Sequence, residues 1–109
     1  MEQQQQQVQE AVNKMKISEL KVGQGKVDVE GIVKNISDTR AFNKYGRDLK
    51  VANALLEDDS GSIKLTLWND DITRIKNNDK IKITNGFVNE FNSEKQLTAG
   101  KLGKIEVIN

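Results

Sequence analysis

Ser62-Ile63-Lys64-Leu65-Thr66-Leu67-Trp68 is the stretch that decides the fold. Side chains on a strand alternate between its two faces. Ile63, Leu65 and Leu67 therefore share one face, and Ser62, Lys64, Thr66 and Trp68 share the other. The apolar face needs a core. The polar face ends in the only tryptophan of the chain. A large aromatic on the solvent side of a strand needs a reason, because exposed apolar area is unfavourable unless something covers it.

Reading outward from this strand, residues 57–61 (Glu57-Asp58-Asp59-Ser60-Gly61) form a turn and residues 49–56 a preceding strand. Residues 37–46 read as a polar loop carrying Phe42 and Tyr45. Before it, Val27, Val29, Ile32, Val33 and Ile36 give a long first strand, bent at Gly31 because a glycine inside a strand often marks a bulge or bend. Residues 16–20 open the strand-forming part and lead into a turn over residues 22–25. After Trp68, Asn69-Asp70-Asp71 supplies cap-type residues for a short helix with Ile72 and Ile75 on its buried side. Residues 80–88 form a fourth strand, residues 89–95 a loop carrying Phe91, and residues 96–108 a fifth strand interrupted near Gly100 and Gly103. The chain thus reads as all-β: five strands with a short helix between the third and fourth, the connectivity of an OB-fold barrel. Closure removes exposed strand edges.

The chain has 109 residues, which suits one domain. Residues 1–15, with five consecutive glutamines (Gln3 to Gln7), differ from the rest and read as a flexible or helical extension in which Val8, Val12 and Met15 form a marginal helical stripe. Residues 16–109 form the domain. There is no cysteine or histidine, which removes thiol chemistry, disulfides and the commonest general base and zinc ligands. No stretch approaches the roughly 18 apolar residues of a membrane span, and the N-terminus has no signal-type apolar core. A soluble, cytoplasmic protein without a membrane partner is expected. Net charge is +1, so the whole chain gives no hint of partners. The segment 38–50 is mildly basic, with Arg40, Lys44, Arg47 and Lys50 against Asp38 and Asp48.

Rings interleaved with cations suit a single nucleic-acid strand, because bases stack on the rings and phosphates meet the cations. Trp68, Phe87, Phe91, Tyr45 and Phe42 are the candidate stacking residues. Arg40, Lys44, Arg47, Lys64 and Lys95 are the candidate phosphate contacts. Phe87 has the inward parity of Ile81 and Ile83, so it faces outward only if the strand bulges near Gly86. The acidic run Glu57-Asp58-Asp59 belongs in a turn on ordinary grounds, and no cofactor, metal or enzyme activity is expected.

Two segments are similar to a known family. Asp59-Ser60-Gly61-Ser62-Ile63-Lys64-Leu65-Thr66-Leu67-Trp68 resembles the third-strand signature of archaeal single-stranded-DNA-binding proteins and of the related replication protein A OB domains. Asn85-Gly86-Phe87-Val88-Asn89-Glu90-Phe91, followed by Gln96-Leu97-Thr98-Ala99-Gly100, resembles the same family's fourth strand, loop and fifth strand. The similarity spans residues 17–107. It implies sequence-tolerant binding and protection of single-stranded DNA in replication, repair or recombination, with bases stacking on Trp68, Phe87 and Phe91 and Arg40 as the basic residue after the first strand. The family often carries Trp where Phe87 stands. Relatives often continue into a tail that recruits partners, and the sequence stops at Asn109. Either that tail is missing, or recruitment lies elsewhere, with the Gln-rich N-terminus one candidate. The resemblance also implies an archaeal cytoplasmic setting. An RNA- or tRNA-binding OB domain and a protein-interaction OB subunit of a replication or repair complex stand as alternatives, and a monomer is favoured over an oligomer.

Overall fold

The computed structural model describes residues 15–99 and 103–109. A 3-10 turn (Ile17–Glu19) is followed by strands β1 (Val27–Lys34), β2 (Arg40–Lys44), β3 (Arg47–Asp58) and β4 (Gly61–Trp68). A short helix α1 (Asp70–Arg74) comes next, then β5 (Lys80–Phe91), β6 (Glu94–Thr98) and β7 (Lys104–Val107). The strands are ordered β1-β3-β4-β6-β5-β7, and β1 also pairs with β5, so the sheet closes into a ring. All pairings are antiparallel except β4 with β6. This is the all-β arrangement that the sequence predicts, five principal strands with the helix between the third and fourth, with β2 added and the interrupted fifth strand appearing as β6 and β7.

The ring is filled by side chains of one parity. Val27, Val29, Val33, Leu56, Leu65, Leu67, Ile81, Ile83, Val88 and Leu97 point inward and are essentially inaccessible. Burying a side chain of this size contributes roughly 1.5–3 kcal/mol, so the alternation is a strong constraint on register. Helix α1 and the residue after it plug one end, with Ile75 buried and Ile72 packed against the core. Asn69 does not cap the helix. Its side-chain oxygen accepts the Lys50 backbone N–H at 3.0 Å, prolonging the β3–β4 ladder past Trp68.

Two backbone devices close the ring. The first is Gly31. Strand β1 pairs with β5 up to Ile32 and with β3 from Ile32 onward. At this crossing a Cβ on residue 31 would lie 2.6 Å from the Glu57 carbonyl oxygen and 3.0 Å from Leu56 Cγ. The glycine at the predicted bend admits the backbone of β3. The second is a bulge in β5. Val29 pairs with Ile83 but Val27 pairs with Gly86, so Thr84 and Asn85 together stand opposite Asp28. Asn85 takes up the extra residue at φ 58°, and its N–H donates to Asp28 Oδ1 at 2.9 Å. Asn and Asp tolerate this left-handed region better than other side chains, apart from glycine.

Several predicted boundaries move. Residues 37–46 are not a loop throughout, because 40–44 form β2 and pair with β3 across a two-residue turn at Tyr45 and Gly46. Residues 89–95 are likewise mostly strand, with β5 running to Phe91 and β6 starting at Glu94 across a turn at Asn92 and Ser93. In both turns the two central residues have positive φ, the geometry that matches the twist of paired strands and lets them continue to the tip. Residues 16–20 are a 3-10 turn rather than strand, fixed when Ile17 N–H donates to Asp58 Oδ2 at 3.0 Å. The proposed N-terminal helix lies outside the described residues apart from Met15, whose backbone N–H donates to the Asp28 carbonyl and which packs on the core.

Asp58 ties the β3–β4 turn to that 3-10 turn. Its Oδ1 also accepts the Ser60 N–H at 2.7 Å, the Ser60 hydroxyl at 2.6 Å and the Gly61 N–H at 3.1 Å. Partial burial raises its pKa, but the hydrogen bonds from Ser60, Ile17 and Gly61 together outweigh it and hold the carboxyl below the ordinary value of 3.8. A depressed folded-state pKa gives stability that is present above 3.8 and lost as pH falls through the folded value. Asp58→Ala is therefore expected to lower unfolding free energy by about 2–3 kcal/mol at pH 7. The gap to wild type should narrow as pH falls below about 4. Urea unfolding at neutral and acid pH checks this. Gly31→Ala, by forcing Cβ against the Glu57 carbonyl, is expected to lose about 3 kcal/mol or more in the same assay.

Candidate nucleic-acid interface

The outward parity of β3, β4 and β6, with residues 40–42 of β2 and the end of β5, forms a groove of about 650 Å³. Its residues come from the alternation that builds the core. On β4, Lys64, Thr66 and Trp68 face out while Ile63, Leu65 and Leu67 face in. On β3, Val51 and Asn53 face out while Ala52, Ala54 and Leu56 face in. Register then stacks the outward residues in rows. Arg40 pairs with Val51 and Val51 with Trp68, giving one row from β2 to β4. Lys64 pairs with Gln96 and Gln96 with Asn89, giving a second from β4 to β5.

Trp68 is 39% exposed, and its ring and that of Phe42 pack edge-to-face at 6.4 Å between centroids, the planes 70° apart. This contact supports the indole at the wall of the groove, which Trp68 lines. Val51, 7% exposed, forms a dry floor beside it. Phe91, 61% exposed, stands at the opposite rim, next to Asn92. The groove thus carries aromatic surface at both ends, Arg40 beside one and Lys64 between them, with Asn53, Thr66 and Gln96 supplying neutral hydrogen-bonding groups.

Of the ten residues predicted from sequence, five line this groove: Trp68, Phe91, Phe42, Arg40 and Lys64. The other five lie apart. Phe87 does face outward, because the bulge shifts the inward positions from Ile81 and Ile83 to Gly86 and Val88. The bulge falls at Asn85, one residue before the predicted place. Phe87 then shares the outward row of Asn89 and Phe91, but it sits four residues from Phe91, near Gly25, and does not line the groove. Tyr45, Lys44 and Arg47 are at the tip of the β2–β3 hairpin, with Lys44 Nζ 5.6 Å from the centroid of the almost fully exposed Tyr45 ring. Lys95 points to the other side, donating to the Leu20 carbonyl at 2.9 Å. Sequence reasoning missed Ala41, Val51, Asn53, Thr66, Asn92 and Gln96. For Asn53 and Gln96 the signal was there, as alternation with Ala52, Ala54 and Leu97. Asn92 is placed only by the hairpin turn.

The described residues contain no group of three or more acidic side chains arranged to hold a metal ion, and no helix long and apolar enough to cross a membrane. The acidic run of 57–59 is spent on the turn, through Asp58.

A closed sheet with a short helix after the third principal strand defines an OB-fold domain, and an aromatic, partly cationic groove lies on its outer face. Comparison with known proteins narrows this. The family described as single-stranded DNA binding protein Ssb-like, OB fold, matches residues 25–107, and the chain belongs to it. The single-stranded DNA binding protein Ssb of Saccharolobus solfataricus is 31% identical over 90 residues, which cover 83% of this chain and 61% of that protein. The chain therefore spans about three-fifths of that relative's length. The replication factor A related protein of Methanobacterium thermoautotrophicum superposes with a TM-score of 0.73 at 28% identity, covering 88% of this chain and 91% of the other. The OB domain of Ta0387 from Thermoplasma acidophilum gives a TM-score of 0.76 at 24% identity, covering 88% and 87%, and shows the shared fold.

The hairpin tip yields a stability prediction. Tyr45 has φ 55°, a conformation in which a bulky L-residue is strained. Tyr45→Asn is expected to raise unfolding free energy by about 0.5–1 kcal/mol, since Asn accepts left-handed backbone readily. A lowered thermal midpoint would show instead that the ring is held by contacts within the domain.

Proposed function

We propose that this domain binds single-stranded DNA in the groove between Trp68 and Phe91, in replication or repair. Bases stack on Trp68 and Phe91, Phe42 braces the Trp68 ring, and phosphates meet Arg40 and Lys64. The observation that carries this reading is that Trp68, Phe91, Arg40 and Lys64 line one groove. Stacking on an aromatic contributes roughly 1–3 kcal/mol per base and tolerates any base, since each has a π-face. The neutral Asn53, Thr66 and Gln96 add hydrogen bonds without adding charge. Membership of a family named for single-stranded-DNA binding supports the ligand class. Phe87, further along the outward row of β5, extends the stacking track. Tyr45, Lys44 and Arg47 meet the strand only if the β2–β3 hairpin folds over it.

The outer face opposite the groove supports the assignment by contrast. There Glu30 pairs with Lys82 and Lys82 with Glu106, a row of alternating charge across β1, β5 and β7 that offers a polyanion no net attraction.

Trp68 is the only tryptophan, so its fluorescence reports directly on the groove. Titration with oligo-dT is expected to quench it, with affinity falling as salt rises. Trp68→Ala, followed by anisotropy of labelled oligo-dT, is expected to weaken binding by about tenfold or more. Wild-type affinity in that variant would show that bases do not stack on this ring.

A further inference from the structure

The role of Glu94, the partner of Lys64, rests on this reading of the groove. Lys64 Nζ lies 3.2 Å from Glu94 Oε1. Lys64 and Glu94 also line a second depression, bounded by Ser18, Leu55, Gly61 and Ser62, so the ion pair stands at the boundary between it and the aromatic groove. Arg40, the other groove cation, has no such partner among the described residues. Glu94 has a second connection. It is the cross-strand partner of Phe91, so the ion pair also ties the β5–β6 hairpin tip to β4 beside Lys64.

We infer that Glu94 is a positioning residue that holds Lys64 in the free protein and competes with the DNA backbone for it. A phosphate arriving at Lys64 must displace an anion already in place. The physical consequence lies in the salt dependence. A free lysine that meets a phosphate lets the strand release condensed cations, and each such contact adds about 0.7 to the slope of log affinity against log salt for a single strand. When Lys64 leaves Glu94, the bared carboxylate recruits a cation in return. That contact then adds less than its full share to affinity and to slope. Exposed ion pairs are weak, so the competition tunes binding without blocking it.

The test is a titration of the full chain with labelled oligo-dT at several salt concentrations, for wild type, Glu94→Gln, Lys64→Gln and the double variant. Both side chains are on the surface, so the variants should fold. Glu94→Gln is expected to bind up to about fivefold tighter at low salt, the upper range for an exposed pair, with a slope steeper by up to about 0.7. In the Lys64→Gln background the same change should do little. Unchanged affinity and slope for Glu94→Gln would overturn the inference. So would equal tightening with and without Lys64, which would mean that Glu94 merely repels the strand. Wild type that fails to bind oligo-dT overturns the proposed function and this inference with it, whereas wild-type binding with an indifferent Glu94→Gln overturns this inference alone.

Discussion

Closure of the sheet is the constraint from which the rest follows. Strand β1 must serve two neighbours, β5 with its first part and β3 with its last, and Gly31 is where the change becomes sterically feasible. Once the ring is shut, each strand within it has one wet face and one dry face, whereas β2, which pairs only with β3, is exposed along its length. Leu65 and Leu67 then fix where Trp68 goes. The groove is the outer surface that a well-packed interior forces on β3, β4 and β6, extended by β2 at its edge. The same logic makes the bulge at Asn85 consequential. It turns β5 over partway along, so that Val88 enters the core and Phe87, Asn89 and Phe91 leave it.

Much of this was legible in the chain. Alternation in residues 62–68 is clean because β4 has ordinary extended geometry throughout its length and pairs regularly with β3. Short-range turn chemistry was harder. A Tyr-Gly pair and an Asn-Ser pair each form a two-residue turn of positive φ, and neither has the strong Asn-Gly signature, so both hairpins read as loops. Gly31 stands out in the sequence as a strand glycine, but the close approach it permits depends on the carbonyl of Glu57, which lies far away in sequence. The β5 bulge was foreseen as a condition for Phe87 and misplaced by one residue, because its anchor, Asp28, lies 57 positions away.

The candidate site divides along the same line. Trp68 and Lys64 follow from strand parity alone. Phe42 and Arg40 reach the groove only because β2 pairs with β3, a tertiary fact. Lys95 looked like any other cation near the site, yet its ammonium is committed to the Leu20 carbonyl on the far side of β6. Residue type and proximity in sequence could not separate it from Lys64, and the direction of the side chain did. Glu94 was invisible to a search for cations and rings, although it stands nearest to the charge on Lys64.

The central claim is that one outer face of the ring, between Trp68 and Phe91, takes the single strand. Backbone and indole amide NMR shifts recorded as oligo-dT is added test it most directly. The account predicts that perturbations gather on Val51, Asn53, Thr66, Trp68, Asn92 and Gln96, and leave Glu30, Lys82 and Glu106 on the opposite face unmoved. Shifts concentrated on that alternately charged face, with the Trp68 indole signal unchanged, would contradict it.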